Sequence, residues 1–439
     1  MKKKIKTLFI AVMLLAGITL QPFSSIVAVA ATPLLEVIYF SVGHGDCALI
    51  KSNGYTILVD SGEWNSGISD VKASQSMLNG TTIQTKTKSN LRGYLRENGT
   101  LRNVNGKPYI DYVIITHYDS DHIGGLFELL GYNTPTNSND DIQVGKFISR
   151  KYSENTLERL RTKAVANSSH AQYRNYMKIV NAIGYNGGMS QSDLLNLNTI
   201  PTTSEISSMI TKIKKRLGDS YNWDFPAQGD NIFIINDGTT KLSMQFLHKS
   251  TTYITEADVA NDTLYGYAIN RDSLMFMLNF TTSNGTKKFL FAGDAGDKAF
   301  KNMKAYADKY NINLKTDVFK LTHHGYSGSV PSILTTDLKP TVSIVSIDTH
   351  KLSSTKMKGL IHFDTSGNYK TDSTLKNTYG EIYETWAIES YLSAGNRNHN
   401  FVGINILTNG GNLIKNGEYY DNIIDAITFT SSAIAKIKL

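Results

Sequence analysis

One cysteine, Cys47, stands in a chain of 439 residues. A lone thiol closes no intramolecular disulfide and builds no cysteine-based zinc site. It lies beside Ala48, Leu49 and Ile50 and reads as a small buried apolar residue. No low-complexity run argues for disorder, and no short fixed period marks a repeat architecture. Beyond the amino terminus no apolar stretch is long enough to span a bilayer as a helix, which excludes a helical channel. Net charge is scarce too. The formal +7 includes Lys2, Lys3, Lys4 and Lys6, and about +3 is left for the rest of the chain. So weak a balance gives no argument for nucleic acid by itself.

Those four lysines open a different pattern. They form a basic n-region before an uncharged apolar core of 14 residues, 7–20, followed by Ala28-Val29-Ala30 as a small-x-small cleavage signal. A membrane-spanning helix needs roughly 20 apolar residues, so residues 1–30 read as a signal peptide. Export without disulfides, with many Asn, Lys and Tyr residues, points to a secreted or cell-surface protein of a Gram-positive bacterium.

With 41% hydrophobic residues there is material for a large core, and the length allows one domain with insertions. Residues 34–42, 47–51 and 55–59 predict three short strands separated by glycine turns. Residues 61–108 are polar and read as an insertion with one helical patch, 91–97. Residues 131–229 read as a second, mainly helical insertion, with helical spacing at 155–183 and 204–217. Strands return at 231–235, 241–247, 273–280, 287–292, 317–321 and 341–347, with a helix at 297–310. Strand-rich ends with helices between predict an α+β sandwich of two packed sheets.

The most informative segment is Thr116-His117-Tyr118-Asp119-Ser120-Asp121-His122 with Gly124-Gly125 after it. Four candidate metal ligands fall within six residues, directly after the apolar run Tyr112-Val113-Ile114-Ile115. On a turn at a strand's carboxyl end they can converge on a pair of divalent cations. His117 and Asp119 suit one cation, Asp121 and His122 the other. Gly293-Asp294 and His323-His324-Gly325 also follow apolar strands. Asp294 suits a bridging role because a carboxylate has two oxygens, and His323 would add an imidazole. The expected ligands are therefore His117, Asp119, Asp121, His122, Asp294 and His323, with Asp121 and Asp294 also acting on the attacking water. His44, Asp46, Asp60, His324 and His350 are expected in supporting or substrate-side places. His248, His362 and His399 read as surface or supporting residues.

Taken in order, these motifs resemble the metallo-β-lactamase superfamily, and within it the exported hydrolase domain of ComEC-type competence proteins. The matching residues are Ser41 to Asp46 with Leu58 to Gly62, Thr116 to Gly125, Phe291 to Asp294 and Lys320 to Gly325. A closing strand at 401–407 with Thr408-Asn409-Gly410-Gly411 is also similar. The resemblance covers about 34–130 and 230–415. It implies an αββα sandwich over residues 31–439, carrying a helical insertion, with the metal site at one edge of the sheets. It also implies hydrolysis of phosphodiester or related ester bonds with two divalent cations, Zn²⁺ first. Asp119 stands where the superfamily commonly has His, so Mn²⁺ or Mg²⁺ competes. No histidine with matching context stands at the superfamily's third-histidine position, for which His248 is the nearest candidate.

The expected substrate is an extracellular phosphodiester, DNA or of teichoic-acid type; the sequence names no protein partner. A teichoic-acid phosphorylcholine esterase is the rival enzyme, with Tyr221, Trp223 and Phe225, or Trp64, as a cation–π cage or as packing for the insertion. A binding protein on the same fold is the third reading.

Overall fold

Along β1 (Leu35–Phe40), Leu35, Val37 and Tyr39 face one side of a sheet while Ile38 and Phe40 face the other. This period of two recurs in β2 (Ala48–Ser52) and β3 (Tyr55–Val59), so both faces of the sheet are apolar and both must be covered. The computed structural model describes residues 34–40, 42, 45–62, 91–96, 99–132, 141–166, 171–248, 270, 273–325, 331–346, 381–384 and 401–419. All lie in the unit Leu34–Leu439.

β4 (Arg102–Val104) pairs with β5 (Lys107–Ile114), which runs parallel to β3. After β5 come two short helices, α1 (Ser120–Ile123) and α2 (Leu126–Leu130), then β6 (Gln143–Ile148), parallel to β5. Three longer helices follow, α3 (Glu154–Ala166), α4 (Gln172–Asn186) and α5 (Thr203–Leu217), before β7 (Trp223–Asp224) adds to β6. Thr202 and Glu205 start α5 with a capping box.

The second sheet contains β8 (Asn231–Asn236), β9 (Lys241–Phe246), β10 (Phe276–Thr282) and β11 (Gly285–Phe291), joined antiparallel. Helix α6 (Asp297–Tyr310) crosses to β12 (Val318–Lys320), with β13 (Val342–Val345) and β14 (Glu381–Glu384) parallel beyond it. β15 (Phe401–Thr408) and β16 (Leu413–Tyr419) return to the first sheet beside β1.

Three apolar clusters separate four layers. Phe276, Phe280, Phe289 and Phe291 meet Val37, Tyr39, Ile50 and Ile57 between the sheets. Phe276 and Phe291 stack at 5.0 Å, and each such ring contributes about 1.5–3 kcal/mol by burial. Met177, Val180 and Ile183 of α4 cover the outer face of the first sheet. Phe300, Met303 and Ala307 of α6 cover that of the second, at helical spacing. The architecture is the expected αββα sandwich. Among the described residues no helix is long and apolar enough to cross a membrane.

Both expected insertions need redrawing. Residues 143–148 and 223–224 are strands continuous with the core sheet, so the helical excursion between them is shorter than 131–229. Gly145 and Lys146 hide the strand pattern. At Gly145 a Cβ would lie 2.8 Å from the Asp111 carbonyl oxygen, so glycine there is a packing requirement. Likewise β4 and the first two residues of β5 fall within 61–108. Residues 1–33, 63–90 and 347–380, including the expected signal peptide, Trp64, His350 and His362, lie outside the described residues, as do His44 and His399.

Candidate metal centre

Every candidate ligand follows the carboxyl end of a strand. His117, Asp119, Asp121 and His122 come after β5, Asp294 after β11, and His323 and His324 after β12. Backbone hydrogen bonds lace these loops to the first two motifs: Asp46 N donates to Asp121 O (3.0 Å), Ser61 N to His122 O (2.6 Å) and Gly125 N to Gly62 O (2.8 Å). Across the sandwich, Leu274 N donates to Thr116 O (2.7 Å), and within the second sheet's edge His323 N donates to Gly293 O (3.1 Å). Gly293 has φ 48°, and a Cβ there would lie 2.7 Å from Thr116 Oγ1, so only glycine permits this approach.

The side chains divide into two sets at the two oxygens of Asp294. Toward Oδ2 lie His117 Nε2 (3.8 Å) and His323 Nε2 (3.7 Å), and His117 Nε2 is 3.6 Å from Asp119 Oδ2. Toward Oδ1 lie His122 Nε2 (3.1 Å) and His324 Nε2 (3.8 Å), and His324 Nε2 is 3.0 Å from Asp121 Oδ2. Donor atoms around one tetrahedral ion stand roughly 3.4 Å apart when each bond is about 2.1 Å, so both sets have ligand spacing. One Asp121, His122, Asp294 and His324 atom each fall within 4.8 Å of one another.

Hydrogen bonds behind the site fix the imidazole protons. An ionised carboxylate only accepts, so His122 donates from Nδ1 to Asp60 Oδ2 (2.8 Å). Thr116 donates from its amide to Asp60 Oδ1 (2.8 Å) and from Oγ1 to Oδ2 (2.7 Å). With its hydrogen committed there, Thr116 Oγ1 accepts from His117 Nδ1 (3.2 Å). His324 Nδ1 faces the Ser346 carbonyl (3.0 Å), which can only accept. All three rings therefore turn Nε2 toward Asp294. Asp60 is the hub of this arrangement, and it is buried.

His323 and His324 adopt left-handed backbone conformations, φ 49° and 52°. Such conformations cost about 1–3 kcal/mol each and persist where surroundings over-determine them. Here the kink sends adjacent imidazoles to opposite oxygens of one carboxylate.

Burial pushes the Asp294 and Asp121 carboxyls up, but neighbouring His122 and His324 hold both well below the ordinary carboxylate range. The same pairing, against desolvation, raises His122 well above its usual value and His324 to about 9. Burial lowers His323 below its usual value. Asp46, paired with Lys320 Nζ at 2.7 Å, also stays ionised despite burial. Cys47 is buried and its thiol is pushed up by desolvation, in keeping with packing alone.

The residues present fit divalent cations. His117 Nε2, His122 Nε2 and Asp294 Oδ1 are buried polar atoms with no hydrogen-bond partner. Buried polar groups are normally satisfied, so three orphans around one carboxylate call for a ligand. Mixed imidazole and carboxylate donors suit Zn²⁺ and Mn²⁺.

The six expected ligands thus come together. His324 needs correction: expected in a supporting place, it belongs with Asp121 and His122 as a ligand candidate. Asp60 Oδ2 accepts from His122 Nδ1, and Asp46 lies beside Lys320 Nζ (2.7 Å) and His324 Nδ1 (3.3 Å). His248 is buried, and neither acidic-histidine cluster of the described residues, Asp121-His122-Asp294-His324 or Asp46-Asp60-His122, includes it. Sequence reasoning passed over Thr116, Ser273, whose hydroxyl accepts from Asp294 N (3.1 Å), and Gln172, which donates to Asp119. Thr116 could have been found from its place beside His117; Gln172 had no local signal. Trp223 is buried and donates to Ser149 Oγ (2.8 Å), and Tyr221 and Phe225 pack on the same core, so these rings pack the helices.

Residues 41–136 match the family model described as the metallo-beta-lactamase superfamily. The match covers Asp46, Asp60 and the 117–122 turn and ends before Asp294. No curated protein matches the chain. Among solved structures, the chain is similar to a subclass B3 metallo-beta-lactamase isolated from a soil metagenome library, with 12% identity and TM-score 0.28 over 66% of this chain and 76% of that one. It is similar to the short form of human tRNase Z, with 12% identity and TM-score 0.28 over 72% and 94%. It is also similar to a protein of unknown function from Enterococcus faecalis V583, with 10% identity and TM-score 0.27 over 66% and 49%.

Proposed function

We propose that the protein is an exported hydrolase working with two divalent cations, Zn²⁺ first, on phosphodiester bonds, with extracellular DNA as the first substrate choice. The observation carrying this reading is the division of six side chains between the two oxygens of Asp294. His117, Asp119 and His323 would hold one cation, Asp121, His122 and His324 the other, with Asp294 shared. Cations so bound supply Lewis-acid charge and lower the pKa of water.

The chain's own groups do the rest. Nδ1 hydrogen bonds keep the Nε2 lone pairs of His117, His122 and His324 turned inward. Buried Asp294 places negative charge between the two sets. Asp119, Asp121 and His323 are each about a quarter exposed and form the rim a substrate meets. Asp121, on that rim with Asp119, would orient an arriving water. Export is supported by the pattern of residues 1–30.

The test is metal analysis of the purified protein with hydrolysis of bis-p-nitrophenyl phosphate, p-nitrophenylphosphorylcholine and DNA. Cleavage of the first substrate and of DNA supports the reading. Selectivity for the choline ester would move the assignment to a teichoic-acid esterase, and bound metal without turnover to a binding protein.

A further inference from the structure

Asp119, like Asp121, is about a quarter exposed at the rim of the centre, and a carboxylate at that position swings about two bonds unless something holds it. Helix α4 approaches it from outside the sheet. At the first residue of α4, Gln172 donates from Nε2 to Asp119 Oδ1 at 2.7 Å. The amide's orientation follows from chemistry, because an ionised carboxylate accepts only and the NH₂ end must face it. One turn further, Asn175 donates from Nδ2 to the Tyr118 carbonyl (2.8 Å) and lies 3.3 Å from Ser120 Oγ. Asn175 is 1% exposed. Helix α4 thus grips residues 118, 119 and 120 in succession, two through the loop and one through the ligand's own oxygen. With Oδ1 held by Gln172, Asp119 presents Oδ2 toward His117.

We propose that Gln172 is a positioning residue for the metal centre, acting through Asp119, and that α4 is the element that makes Asp119 serviceable as a ligand. Its role parallels that of Asp60 behind His122: an outer hydrogen bond selects one orientation of a ligand and leaves the other atom for the cation. Helix α4 therefore has a function at the site beyond covering the sheet. This inference rests on the metal-centre reading above and adds to it the source of Asp119's geometry.

The experiment compares Zn²⁺ affinity, by chelator competition, and the visible absorption bands after Co²⁺ loading, in full-length wild type, Gln172→Leu, Gln172→Glu and Asp119→Asn. Loss of an outer hydrogen bond to a ligand weakens binding about 10- to 100-fold. Gln172→Leu should show that loss with shifted Co²⁺ bands, while the metal-free protein melts as wild type does. Gln172→Glu, which sets a like charge against Asp119, should bind more weakly still. Because Gln172 acts through Asp119, adding Gln172→Leu to Asp119→Asn should weaken binding by far less than the product of the single effects. Wild-type affinity and bands in Gln172→Leu, or multiplicative losses in the double variant, would overturn the proposal while leaving the metal centre intact. A wild-type protein that takes up no Zn²⁺ would overturn the metal centre and this proposal together.

Discussion

Replacing Asp60 by Asn should disable the centre from behind, without touching any ligand. Asp60 accepts three buried hydrogen bonds, from Thr116 N, Thr116 Oγ1 and His122 Nδ1. The asparagine oxygen can keep the bond from Thr116 N, but its NH₂ then faces two donors where an oxygen accepted both. Each mispaired buried donor costs about 1–3 kcal/mol. Rotating the threonine hydroxyl relieves one, at the expense of the acceptor that His117 Nδ1 uses. Moving the His122 proton from Nδ1 to Nε2 relieves the other, and puts a hydrogen on the nitrogen that lies 3.1 Å from Asp294 Oδ1, where a lone pair is required. Metal-free stability should fall by about 1–3 kcal/mol, and Zn²⁺ affinity by about 10- to 100-fold. Urea unfolding reads the first and chelator competition the second. Long-range proton–nitrogen NMR of the imidazoles reads the tautomer in the Zn²⁺-loaded protein. An Asp60→Asn protein with wild-type affinity and an Nδ1–H His122 would refute the tautomer argument.

Asp121→Asn should abolish hydrolysis with little change in fold, because the amide is nearly isosteric but no longer balances a cation, and excess metal should restore activity only in part. Turnover with a parallel thermal melt checks this; full activity would count against the assigned role. In the metal-free protein the raised His122 and His324 stabilise the fold while protonated. Their folded values exceed the unfolded value of about 6.5, so this contribution is complete below that pH and is lost as pH climbs through about 9 for His324. Urea midpoints of the chelated protein should therefore decline from neutral to alkaline pH. Zn²⁺ affinity should rise over the same range as protons cease to compete; a flat affinity profile would contradict the ligand assignment of these two histidines.

Much of the fold was legible because burial on both faces writes itself into alternating residues. Phe276, Leu278 and Phe280 point inward while Met277 points outward, and β10 was found at that place. β6 was lost because Gly145 and Lys146 break the pattern, although Phe147 and Ile148 are as buried as any core residue. At the site, the 117–122 turn was readable from ligand types beside an apolar strand, and Asp294 and His323 from their places at strand ends. His324 was not, since nothing in a His-His pair says which ring turns inward; two left-handed residues turn both. Gln172 and Asp119 are partners only through the folded placement of α4.

The most direct test of two cations sharing one carboxylate is the metal content, by mass spectrometry of the dialysed protein, of wild type beside Asp294→Asn. Two equivalents of divalent metal in the wild type, with loss of at least one and of phosphodiester hydrolysis in the variant, is the expected result. A wild type without bound metal, or an Asp294→Asn protein that keeps both equivalents and its activity, would contradict it.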